Sequence, residues 1–118
     1  MELKTLFLAA LMWLPVTQAS ADTRPLEGHY YLHGVMEMGA ELLLRKDGTF
    51  SAGVEYGSAD GVAKGTWQVA NNTVTLKTEN DSPANGELSV LFKDLQLAIE
   101  PDCLAVDFGT GKACFRQN

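Results

Sequence analysis

Histidine, cysteine and aromatic residues are scarce in this chain of 118 residues, which has two His, two Cys and an aromatic fraction of 8%. With so few histidines and no Ser/His/acid signature, nucleophilic hydrolysis lacks its parts, and no enzyme activity or cofactor is expected. No glycine-rich phosphate loop occurs either. The glycines are scattered at strand ends, where turn geometry accounts for them. Basic residues are outnumbered, 9 Lys and Arg against 15 Asp and Glu, for a formal net charge of −6. That balance argues against nucleic acid and anionic membrane surfaces as partners, and it permits a basic protein. No segment carries a helical period over three turns. No apolar run reaches the roughly 20 residues that a membrane helix needs.

The one apolar run, Leu6 to Leu14, follows Lys4, is broken by Pro15 and leads to Ala19-Ser20-Ala21. This order predicts a secretory signal peptide over residues 1–21, cleaved near Ala21/Asp22, and a periplasmic or secreted location in a bacterial cell. No cysteine follows the cleavage point, so a lipid anchor is not expected. Glu2 and Lys4 cancel, leaving the whole charge of −6 on residues 22–118. That length is one domain's worth, and a domain of this size buries only about two-thirds of its chain surface. Export places Cys103 and Cys114 in an oxidising compartment and predicts a disulfide between them. A bridge closing so short a loop stabilises by roughly 2–3 kcal/mol on the loop-entropy model. A metal or catalytic thiol pair is disfavoured because no third ligand is near.

From Glu41 onward nearly every segment alternates with period two between short turns. Leu42 and Leu44 share one face. After the turn Lys46-Asp47-Gly48-Thr49, so do Phe50, Ala52, Val54 and Tyr56. Ala63, Gly65, Trp67 and Val69 continue that parity, and Asn71-Asn72 turns the chain into Val74 and Leu76. Asn80 to Gly86, containing Pro83, reads as a loop. Leu88, Val90 and Phe92, then Leu95, Leu97 and Ile99, then Leu104, Val106 and Phe108, read as three further inward-facing strand sets. Gly109-Thr110-Gly111 closes a hairpin onto Ala113 and Phe115. Cys103 and Cys114 sit on the opposite parity, facing each other across that hairpin on the side away from the core. The stretch His29 to Met38 is ambiguous. It reads as one strand with Tyr30, Leu32, Gly34 and Met36 inward, or as a strand broken at Gly34. About eight sequential antiparallel strands predict an all-β, up-and-down barrel over residues 22–118, with a two-sheet sandwich as the alternative.

The passage Leu42-x-Leu44, Asp47-Gly48-x-Phe50, Gly65-Thr66-Trp67, Val74-x-Leu76 resembles the calycin-like, or lipocalin-like, barrels of bacterial envelopes. Among these is the N-terminal barrel of NlpE-type lipoproteins. The resemblance implies architecture, not function. The lipobox cysteine and the Cys-x-x-Cys metal motif are missing here. Gly65-Thr66-Trp67 is also internal, whereas lipocalins proper carry that motif on their first strand.

Three candidate sites follow. The first is the segment Tyr56, Gly57, Ser58, Ala59, Asp60, Gly61, read as a hairpin loop at a barrel mouth. It offers Tyr56, Ser58 and Asp60 to a protein partner, since binding residues concentrate on such loops. The second is a barrel interior lined by Phe50, Tyr56, Trp67 and Phe92, with room for one small apolar ligand at most. The third gathers His29, His33, Met36 and Met38 as soft-metal ligands. Residues four apart on a strand lie about 13 Å apart, which disfavours it. No metal is therefore expected. The leading expectation is a non-enzymatic, protein-binding envelope factor of the inhibitor or immunity type. A binder of an apolar ligand is the alternative.

Overall fold

The computed structural model describes residues 25–79, 85–109 and 111–117. The expected signal peptide and the Pro83 loop lie outside the described residues. Eight antiparallel strands in sequence order close into a barrel. They are β1 (Gly28–His33), β2 (Met38–Leu44), β3 (Thr49–Tyr56), β4 (Ala59–Ala70), β5 (Thr73–Thr78), β6 (Gln96–Glu100), β7 (Cys103–Asp107) and β8 (Lys112–Gln117). Closure comes from β1 pairing with β8, Leu32 opposite Phe115. The sandwich alternative is thereby set aside.

The alternation read from sequence fixes the interior. Leu42, Leu44, Phe50, Val74, Leu76, Leu97, Leu104 and Phe115 are fully buried in one cluster. Turn chemistry fixes the register. Asn71 and Asn72 both adopt positive φ, at 54° and 61°, as a two-residue turn that matches the strand twist requires. Asp47 Oδ1 accepts the Thr49 backbone N–H at 3.0 Å and the Thr49 hydroxyl at 2.7 Å. Gly48 then donates its N–H to Arg45 C=O at 3.0 Å. The same carbonyl accepts the Trp67 indole N–H at 2.8 Å, while Trp67 N–H reaches Gly48 C=O at 2.9 Å. The Asp-Gly turn and the Gly-x-Trp strand are one clamp. Trp67 is accordingly half-buried at that corner, with its polar atom satisfied as a partly buried indole requires.

Three readings are corrected, and the ambiguous stretch after His29 is resolved in favour of a broken strand. Leu88, Val90 and Phe92 do not form a strand, because Glu87–Phe92 is a 3-10 helix. Its buried residues are Ser89 and Phe92, and Val90 is exposed. The stretch after His29 breaks at Gly34 (φ 100°), which leaves Met36 exposed. The loop expected from Tyr56 to Gly61 is only Gly57-Ser58, since Tyr56 pairs with Ala59 and Glu55 with Asp60. Phe108 lies past the end of β7, half-buried and edge-on to Phe92 and Phe115 at centroid distances of 6.3 and 6.5 Å.

The 3-10 helix occupies space that small side chains leave free. Gly61, Ala63 and Gly65 are the buried positions of β4, with Ala52 opposite Ala63 on β3. A Cβ on Gly61 would lie 2.5 Å from the Leu88 carbonyl carbon and 2.9 Å from Ser89 Cα. One on Gly86, just before the helix, would lie 2.5 Å from Asp60 C=O. The helix therefore plugs the barrel beside β4, and Phe92 fills the interior.

Candidate functional site

With the interior filled, the concave surface lies outside. The outward-facing side chains of β1 to β4 border a groove of about 800 Å³. Its shape follows from sequence. Gly39 and Gly53 face outward on β2 and β3, and a Cβ on Gly39 would meet nothing within 4 Å. One on Gly53 would approach only Gly61 C=O, at 3.9 Å. Two bare backbone positions thus make the floor. Tyr31, Leu43 and Val62 form apolar walls, and Glu41, Glu55 and Asp60 supply carboxylates. Among the described residues neither Lys nor Arg lines it.

Register places these groups in rows. Tyr31 is opposite Glu41, Glu41 opposite Gly53, and Gly53 opposite Val62. His29 Nε2 and Glu41 Oε1 are 2.8 Å apart, and the His29 ring stacks on Tyr31 at 4.7 Å. Glu41 is therefore held in place. Glu55 and Asp60 stand directly opposite each other across β3 and β4. Among the described residues neither has a cationic partner. Directly opposed like charges destabilise a sheet by up to about 1 kcal/mol, so this end of the groove is built against its own stability.

Of the loop residues expected to bind, Asp60 lines the groove, while Tyr56 and Ser58 are exposed on the turn at its end. Tyr56 is 49% exposed and so is turned out of the interior. The four residues expected to line an apolar cavity are dispersed. Phe50 and Phe92 are fully buried in the packed core, Trp67 belongs to the Arg45 corner, and Tyr56 is on the rim. The His/Met set does not converge either. His29 contacts Glu41, Met36 is exposed in a turn, and Met38 packs against the core on the face opposite the histidines.

Cys103 and Cys114 form a disulfide with Cα atoms 5.6 Å apart. They are diagonal rather than directly opposed, because Cys114 pairs with Ala105. The groove itself was missed from sequence. Its signal was Gly39 and Gly53 at outward parity on strands that otherwise carry side chains there.

The fold is thus an eight-stranded antiparallel barrel of calycin-like architecture. No protein-family model matches this chain, and no match was found among curated proteins or solved structures.

Proposed function

We propose that this chain is an exported, non-enzymatic binding module of the inhibitor type, and that it holds a cationic segment of a protein partner in the groove of β1 to β4. The leader-like N-terminal sequence supports export, and the resemblance to envelope barrels of the NlpE type agrees with it at the level of architecture. The observation that carries the binding reading is the Glu55–Asp60 pair, opposed and, among the described residues, without a counter-cation at one end of a glycine-floored groove. A Lys or Arg seated between them relieves their repulsion and adds charge-assisted hydrogen bonds. Tyr31, Leu43 and Val62 offer apolar area to the same segment. The exposed Tyr56 gives the rim an aromatic anchor of the kind that dominates interface energetics.

The test is capture from an envelope extract by the immobilised mature chain. A partner should bind to the native protein, elute with rising salt and be lost from the Glu55→Gln/Asp60→Asn double variant. Gly53→Trp, which fills the floor without touching the core, should block it as well. Capture that ignores salt and both changes would dismiss the groove. Co-purified lipid with no protein partner would favour the apolar-ligand alternative.

A further inference from the structure

The disulfide hairpin has company that the sequence did not reveal. Glu100 is opposite Cys103 at the tight β6–β7 turn. One oxygen of Glu100 and the two sulfurs lie within 4.8 Å of one another. The pair that lacked a third ligand in the sequence therefore has one in the fold. A fourth candidate stands on the strand that closes the barrel. His33, at the end of β1, is directly opposite Cys114 on β8. Direct cross-strand partners share a face with Cβ atoms about 5 Å apart, so the imidazole stands on the face of the Cys114 sulfur, outside the 4.8 Å cluster and within reach of it by rotation of an exposed side chain. His33 is exposed, with no hydrogen bond or ion pair to another described residue. Lys112 Nζ pairs with Glu100 Oε2 at 2.8 Å, leaving the other carboxylate oxygen available.

We propose that the dithiol form of this hairpin is a site for a thiophilic divalent cation, zinc above all, with Cys103 Sγ, Cys114 Sγ, Glu100 and His33 as ligands. Two thiolates, an imidazole and a carboxylate are a zinc donor set, and tetrahedral coordination accommodates the three clustered ligands with His33 turned in from β1 as the fourth. The site lies on the outer face of β1, β6, β7 and β8, away from the groove, and is independent of what the groove binds. Metal and disulfide exclude one another. An external dithiol reduces the Cys103–Cys114 bond by thiol–disulfide exchange, passing two electrons and two protons to the sulfurs and becoming a disulfide itself. The cation then displaces both thiol protons to solvent, so binding strengthens as pH rises through the thiol range.

The experiment is a Co²⁺ titration of the full mature chain, oxidised and after dithiol reduction and anaerobic removal of reductant. The reduced protein should take up one Co²⁺ with thiolate-to-cobalt charge-transfer bands and tetrahedral d–d absorption, and Zn²⁺ should displace it. The oxidised protein should show neither band. Cys114→Ser should abolish the charge-transfer signal. His33→Ala and Glu100→Gln, which leave the disulfide intact and the oxidised fold unaltered, should each weaken binding by at least about tenfold once reduced. Strand circular dichroism is followed throughout. If reduction unfolds the chain, Zn²⁺ must restore the strand signal, as a structural metal does. A folded, reduced protein that gives no cobalt bands overturns the proposal. So does failure of Zn²⁺ to restore a lost fold, or affinity unchanged in both His33→Ala and Glu100→Gln.

Discussion

Gly61→Ala adds one methyl group to the wall against which the 3-10 helix rests, and the structure sets the size of the effect. The new Cβ falls 2.5 Å from the Leu88 carbonyl carbon and 2.9 Å from Ser89 Cα. Both are main-chain atoms, which no rotamer change moves aside. If the helix and β4 spread to make room, the cost is that of overpacking a core, about 1–3 kcal/mol. If the helix instead leaves the barrel, it carries the fully buried Phe92 with it, and the cost approaches that of deleting a buried phenylalanine, about 3–5 kcal/mol. Loss of glycine's freedom in the unfolded chain returns about 0.4–1 kcal/mol. The expected net loss is about 2–4 kcal/mol, seen as a thermal midpoint lowered by on the order of 10–25 °C. A double-mutant cycle with Phe92→Ala decides the mechanism. A methyl group that lifts the helix already incurs part of the cost of losing Phe92, so the double variant should fall short of additivity by about 1–2 kcal/mol. Gly53→Ala, on the outer face of β3 with no neighbour nearer than 3.9 Å, is the control and should stay within about 0.5 kcal/mol of the native protein. Strict additivity would mean that the helix and β4 spread with Phe92 in place, and a Gly61→Ala chain as stable as the control would refute the plugged barrel.

Three other outcomes are expected. Asn72→Ala puts at φ 61° a residue that lacks asparagine's tolerance of the left-handed region, and it removes the Asn72 Nδ2 donor to Ile99 C=O at 3.0 Å. The loss in chemical denaturation should be about 2 kcal/mol. The Asp47 carboxyl is held below its ordinary value of 3.8, chiefly by the Thr49 hydroxyl and next by the Thr49 backbone N–H. A depressed folded value gives stability that is complete above the unfolded value and lost as pH falls through the folded one. Denaturation midpoints should therefore drop below about pH 4, and Asp47→Asn or Thr49→Ala should flatten that acid limb. Reduction of the Cys103–Cys114 bridge, with a sequence separation of 11, should cost about 2–3 kcal/mol without metal, measured by calorimetry with and without dithiol.

The parts of the fold that were legible are those where one rule applies to each residue. Alternation at Leu42, Leu44, Phe50 and Val54 fixed which face turns inward, because a one-residue slip would expose the whole set. Asn71-Asn72 and Asp47-Gly48 marked turns through their backbone preferences. Parity also placed both cysteines on the outer face. What escaped the sequence was decided by competition for space. Leu88, Val90 and Phe92 alternate as a strand does, yet the bare Gly61 position of β4 is filled by the Leu88–Ser89 main chain of a 3-10 turn, a close approach that alternation does not encode. Likewise Glu100 meets Cys103 and Cys114 only through the β6–β7 register, and His33 stands opposite Cys114 only through the β1–β8 seam, which joins residues at opposite ends of the chain. Tyr56 has inward parity, but it stands on the last rung of β3, where nothing remains to cover it.

A barrel filled in this way constrains where recognition can occur. Phe50, Phe92 and Phe115, none with measurable exposure, occupy the volume that a ligand would need, and emptying it would undo the burial that a domain this small depends on. The proposed recognition therefore belongs on the outer face, where a sheet normally presents ridges of side chains. Glycine at Gly39 and Gly53 removes those ridges, at a cost in strand stability, and alanine would serve the barrel equally well at Gly53. A second cost is accepted two rungs from Gly53, where Glu55 opposes Asp60. Two departures from what stabilises a sheet, side by side on one patch, have a common explanation in an occupant that supplies both missing side-chain volume and positive charge. Glu55→Lys separates this account from a purely structural one. It turns the opposed pair into an attractive one and should raise stability by a few tenths of a kcal/mol up to about 1 kcal/mol, while abolishing capture of the cationic partner. A variant that is both more stable and still fully competent in capture would leave the Glu55–Asp60 pair without a role in binding.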